Sequence, residues 1–118
     1  MIRYCTNIEE SQRLLDAGIN ANTSDMTWAE GEFEPLIGRI LHDADDDYWV
    51  VPAWSVLALL NIMKDTFNVE LLTIDLDDKY GCGKCAIICD DDGFIGGDDL
   101  IAAIVNKIVL LSNNIKNN

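Results

Sequence analysis

Apolar and polar positions change period several times along the chain, and each period predicts an element. Residues 7–17 read as a helix. Thr6 or Asn7 can cap it, Glu9 or Glu10 stands at its third position as in a capping box, and Ile8, Leu14 and Leu15 supply its apolar surface. Gly18 provides a left-handed stop, with Ile19 placed to close over the last turn. Asn20, Asn22, Thr23, Ser24 and Asp25 then form a polar turn. Trp28-Ala29-Glu30-Gly31-Glu32-Phe33-Glu34 alternates with a period near two, the mark of an exposed strand, until Pro35 interrupts it. Leu36, Ile37, Ile40 and Leu41 fit either a short helix or a strand broken at Gly38. Residues 42–47 are a carboxylate-rich loop, and 48–51 a short strand.

The second half is more apolar. A helix is expected over 52–63, with Pro52 in its first turn, where a missing N–H costs nothing. From Trp54 to Met63 the only polar residues are Ser55 and Asn61, so this helix should be buried on most sides and form the centre of the fold. Runs rich in Leu, Ile and Val at 69–76 and 84–89, separated by Asp77-Asp78-Lys79-Tyr80-Gly81 and Gly83, read as a β-hairpin. A last helix is expected over 98–112, after Gly96-Gly97, with Asp98 and Asp99 favouring its positive dipole end. Its Ile101, Ile104, Val105, Ile108 and Leu111 recur at three- and four-residue steps and should lie on the sheet, while 113–118 should fray. The pattern predicts one α+β domain over 1–118, with three helices packed on a small antiparallel sheet.

Composition narrows what such a domain can bind. The chain has 118 residues, 21 acidic and 8 basic, for a formal net charge of -13. Its hydrophobic share of 49% separates it from disordered acidic tails, which pair charge with low hydrophobicity. Nucleic-acid binding depends on basic side chains that displace phosphate counterions, and anionic membranes repel a surface of this sign. The expected partner is therefore a basic protein surface, without direct nucleic-acid or membrane contact. The longest apolar stretch, 50–63, is shorter than the roughly 20 residues of a membrane span, and no basic segment followed by an apolar one opens the chain. A cytoplasmic location is the expectation, with the four cysteines reduced.

Three segments carry a resemblance. Tyr4-Cys5-Thr6-Asn7 leads the first helix, Pro52-Ala53-Trp54-Ser55-Val56-Leu57-Ala58-Leu59-Leu60 leads the second, and Asp98-Asp99-Leu100-Ile101-Ala102-Ala103 enters the last. Together they resemble small uncharacterised proteins of gut bacteroidal bacteria and of their phages and mobile elements. The acidic insertion at 43–47 and the abundant aspartates depart from that pattern. The resemblance implies a bacterial cytoplasm or a phage-infected cell; it implies no activity, cofactor or catalytic residue.

Several clusters could carry chemistry. Cys82-Gly83-Lys84-Cys85 has the spacing of a zinc knuckle, and Cys89 with Cys5 or His42 could complete four ligands. A strand over 85–89 would set Cys85 and Cys89 about 13 Å apart, too far to share one zinc, so the strand and a three-cysteine site exclude each other. A second CxxC pair is absent, and cysteine as a small buried hydrophobe is the plainer account. Zinc on Cys82 and Cys85 is the alternative to a protein without a cofactor. The loop from Asp43 matches the first ligand positions of a calcium loop, then fails at Tyr48, where glycine belongs, and at Trp54, where a bidentate glutamate belongs. His42 is the only histidine, and no nucleophile elbow or phosphate loop is present, so an enzyme built on a Cys–His pair is the weakest reading.

The leading reading is a non-enzymatic interaction protein. Asp43, Asp45, Asp46, Asp47, Asp77, Asp78, Asp90, Asp91 and Asp92 are its candidate partner-binding residues, expected to gather into one acidic patch. One form would be an inhibitor that mimics nucleic acid in a basic groove. Trp28, Phe33, Tyr48, Trp49 and Trp54 fall in one half of the chain and are candidate interface anchors, unless Trp49 and Trp54 fill the core.

Overall fold

A computed structural model describes residues 3–38, 49–69, 72–75, 85–89, 94–97 and 99–116. Within these, helix α1 (Ile8–Asp16) is followed by a 3-10 turn (Ala21–Thr23) and by strands β1 (Met26–Ala29), β2 (Leu36–Ile37) and β3 (Val50–Ala53). Helix α2 (Val56–Asp65), strands β4 (Leu72–Asp75), β5 (Cys85–Cys89) and β6 (Phe94–Gly97), and helix α3 (Leu100–Lys116) complete the order. The class is α+β, as the periodicities predict. The strands form two antiparallel three-stranded sheets, in the orders β2-β1-β3 and β4-β5-β6.

Each helix end has a local cause. Asn7 caps α1 by accepting from the Glu10 amide at 2.7 Å, while the Glu10 carboxylate accepts from the Asn7 amide at 3.0 Å. This reciprocal box satisfies two donors that the first turn would otherwise strand. At the other end Gly18 takes φ 95°, and Ile19 N–H returns to the Leu14 carbonyl. Asn68 at φ 57° closes off α2, a conformation asparagine tolerates better than most residues. Asp99 caps α3, accepting from the Ala102 amide at 2.8 Å.

The core is a helix layer. Leu14, Trp54, Leu59, Ile62, Met63, Ile104, Val105 and Ile108 are buried together, and α3 touches α1, α2, β5 and β6. The central element is therefore α3 rather than the 52–63 segment, because a helix that meets two helices and a sheet has no solvent face along most of its length. Even Lys107 is buried there, at 1% exposure.

Several expectations need correction. Pro52 lies in β3, opposite Thr27, and Ser55 is the cap of α2, its hydroxyl oxygen accepting from the Ala58 amide at 3.2 Å. Glu30 N–H bonds the Trp49 carbonyl, so alternation along the pair makes Thr27 and Pro52 a non-hydrogen-bonded pair, and the proline nitrogen faces away from β1. Helix α2 buries only Ala58, Leu59, Ile62 and Met63, leaving Leu57 exposed. On α1, Ile8 is exposed while Glu10 and Ser11 are buried. The strand expected at 28–34 runs instead over Met26–Ala29 and ends in a turn at Gly31, whose φ is 86°. Leu36 and Ile37 form a strand that ends before Gly38, whose φ is 95°; Ile40 and Leu41, the rest of that expectation, lie outside the described residues.

In the second half, the hairpin forms with β4 and β5 in register Leu72↔Cys89 to Asp75↔Ala86. A third strand, β6, was hidden by its two glycines. The last helix starts at Leu100 and continues to Lys116, so residues 113–116, expected to fray, are helical.

Candidate interaction site

The β1–β2 sheet presents an apolar groove of about 770 Å³. Its shape follows from register. Met26 stands opposite Ile37 on the neighbouring strand, and Trp28 is two residues along, so the three share one face. Thr27 and Ala29, on the other face, are buried. The 30–35 connection brings Phe33, Glu34 and Pro35 to the groove, and the N-terminal segment brings Arg3 and Tyr4.

That N-terminal segment is held firmly. Thr6 N–H bonds the Trp54 carbonyl at 3.0 Å, Cys5 bridges Ser55, and the Trp28 indole N–H donates to the Thr6 carbonyl at 2.8 Å. Arg3 forks between two carboxylates. It pairs with Glu10 through both terminal nitrogens, and its Nε and Nη2 reach Asp99 at 2.7 and 2.8 Å. The hydrogen bonds to Glu10 and then Asp99 hold the guanidinium in its charged form, and Arg3 holds the Asp99 carboxyl below the usual carboxylate range. One side chain thus ties the groove wall to the first turns of α1 and α3.

What the groove exposes is unusual. Phe33 is 99% exposed, Ile37 91% and Tyr4 73%. Scattered apolar residues on a surface need no explanation, whereas several converging on one concavity form an exposed apolar patch. The groove's cation is already neutralised by Glu10 and Asp99, and Glu34 adds a carboxylate to the lining. Glu30 and Glu32 are exposed on the same connection. The concavity is largely apolar, with Glu34 as the carboxylate in its lining.

The aromatic residues singled out in the sequence separate cleanly. Trp28 and Phe33 line the groove. Trp54 is fully buried, its indole N–H on Thr23 Oγ1 at 2.9 Å, and Trp49 is 44% exposed. Tyr48 lies outside the described residues, as do His42, Cys82 and all nine candidate aspartates, Asp43, Asp45, Asp46, Asp47, Asp77, Asp78, Asp90, Asp91 and Asp92. Cys85 and Cys89 stand at the two ends of β5, so the chain takes the strand in the choice between a strand and a three-cysteine zinc site. Cys5 is buried, and its thiol is pushed up to about 11, chiefly by that burial and then by the charge of Asp25. The free thiol is protonated at neutral pH and is a poor nucleophile there. Among the described residues no three His, Cys, Asp or Glu side chains converge as a metal site would require.

Tyr4, Met26 and Ile37 were not among the sequence candidates. A period-two reading begun at Met26 would have found β1 and placed Met26 beside Trp28. Nothing in the sequence announces that Arg3 meets Asp99, 96 residues away.

No family model matches the chain, and no curated protein or solved structure matches it. Among the described residues no helix is long and apolar enough to cross a membrane.

Proposed function

We propose that this protein is a non-enzymatic interaction protein that engages a basic protein surface, with the groove as its apolar anchor. The observation that supports this most is the convergence of exposed Tyr4, Phe33 and Ile37 on one concavity in a chain of net charge -13. The apolar lining supplies contact energy and the surrounding charge supplies attraction at a distance. A second acidic copy is a poor occupant because like charges across an interface repel. Nucleic acid and anionic lipid fail for the same reason. The aspartate clusters contribute through the net charge, which acts over about 10 Å at 0.1 M salt.

The test is crosslinked capture on the full chain at low and raised salt, from lysate of the gut bacteroidal cells that the resemblance points to. A basic protein is expected to be retained by the wild type, and to be lost both as salt rises and on the Phe33→Ser/Ile37→Ser variant. Retention of the same protein by that variant, or recovery of no basic protein at low salt, overturns the reading.

A further inference from the structure

Building on the interaction reading, we infer that the groove receives an arginine side chain of the partner, its guanidinium stacked on the aromatic lining and paired with Glu34. Three rings from three separate segments line the opening: Tyr4 from the N-terminal segment, Trp28 from β1 and Phe33 from the β1–β2 connection. An aliphatic occupant would be served equally well by Met26, Pro35 and Ile37. Aromatic faces carry partial negative charge and attract cations as well as apolar surface.

Of the two charged side chains that line the groove, the one outside an ion pair has the matching sign. Glu34 lines it and, among the described residues, makes no ion pair. Arg3, which would otherwise repel a cation or recruit an anion, is committed to Glu10 and Asp99. A carboxylate is open while the cation is closed, so the site selects for positive charge. The Trp28 indole N–H is held by the Thr6 carbonyl, which presents its ring in one orientation before any ligand arrives. Guanidinium fits better than ammonium here because it is planar, stacks on rings, is weakly hydrated and can meet one carboxylate with two parallel hydrogen bonds.

The experiment is calorimetric titration of the full chain with a nine-residue peptide of three Arg-Leu-Gly repeats. Parallel titrations use the same peptide carrying citrulline, a neutral near-isostere, and carrying lysine. The arginine peptide is expected to bind about tenfold or more tighter than either. Phe33→Ala leaves the net charge at -13 and should weaken arginine-peptide binding about tenfold; Glu34→Gln should narrow the arginine-over-citrulline preference. Both positions are exposed, and an unchanged melting temperature confirms that each variant folds. Equal binding of the citrulline or lysine peptide, or full binding by Phe33→Ala, overturns the arginine assignment. If the arginine peptide shows no preference while the captured basic protein still requires Phe33 and Ile37, the arginine assignment falls and the groove reading stands. If neither depends on the groove, both fall.

Discussion

Arg3 shows how much of this fold rests on single side chains. It joins Glu10, buried on α1, to Asp99 at the start of α3, and it borders the groove. Replacing it with methionine strips a buried carboxylate of its cation, and should cost about 1.5–3 kcal/mol in urea unfolding at pH 7. The pH dependence follows from Asp99. Its native pKa is depressed by Arg3, so the stability it contributes is complete above the unfolded value near 4 and is lost as pH falls through the lower native value. Asp99→Asn keeps a capping oxygen and removes the charge. The wild type should therefore exceed this variant in stability at neutral pH, and the difference should vanish in acid, as chemical denaturation across pH 2–7 would show. Asn7, Glu10 and Gly18 could all be read in advance, because capping is local: the partners lie within a few residues and the spacing is fixed by helix geometry. Arg3 could not, since its partner Asp99 is joined to it only by the fold.

Among the elements, β6 and α3 meet at unusually close quarters. A Cβ on Gly97 would lie 2.4 Å from the Ala103 nitrogen and 2.8 Å from its Cα, both backbone atoms that cannot step aside. Gly97→Ala should force the strand from the helix and cost roughly 1–3 kcal/mol by thermal or urea unfolding. The glycines that read as a helix preamble are thus a strand admitted against a helix by its lack of side chains. Helix α2 offers a sharper contrast. Leu59 is fully buried and Leu57 exposed, although both sit in an almost continuous apolar run. Leu59→Ala should cost about 2–5 kcal/mol and Leu57→Ala less than about 0.5, measured by the same unfolding curves. Where nearly every position is apolar, periodicity holds no information about which stripe faces inward; packing against α3 makes that choice. At β1 the period was legible but the inward face was not. Its alternation Met26-Thr27-Trp28-Ala29 buries a threonine and an alanine while leaving a methionine and a tryptophan half out, so hydrophobicity and burial run in opposite senses.

For the whole molecule, the balance of charge and exposed apolar surface predicts its solution behaviour. A chain of net charge -13 repels its copies at low ionic strength despite Tyr4, Phe33 and Ile37 on its surface. Sedimentation should find a monomer at low salt, with weak association emerging as screening increases. The Phe33→Ser/Ile37→Ser variant should remain monomeric throughout. Association at low salt, or association indifferent to those two substitutions, would contradict the proposed role of the groove.

The α+β class, the helices and the β4–β5 hairpin were legible in the amino-acid sequence, as was the net charge of -13 on which the proposed partner rests. These depend on local period, capping chemistry and total composition, all of which are properties of neighbouring residues or of simple sums. Long-range packing decided that the described strands form two sheets rather than one, that α3 lies at the centre, and that Tyr4, Trp28 and Phe33 border a common groove. Those outcomes depend on which distant segments exclude water from one another, and that selection is made only when the whole chain packs.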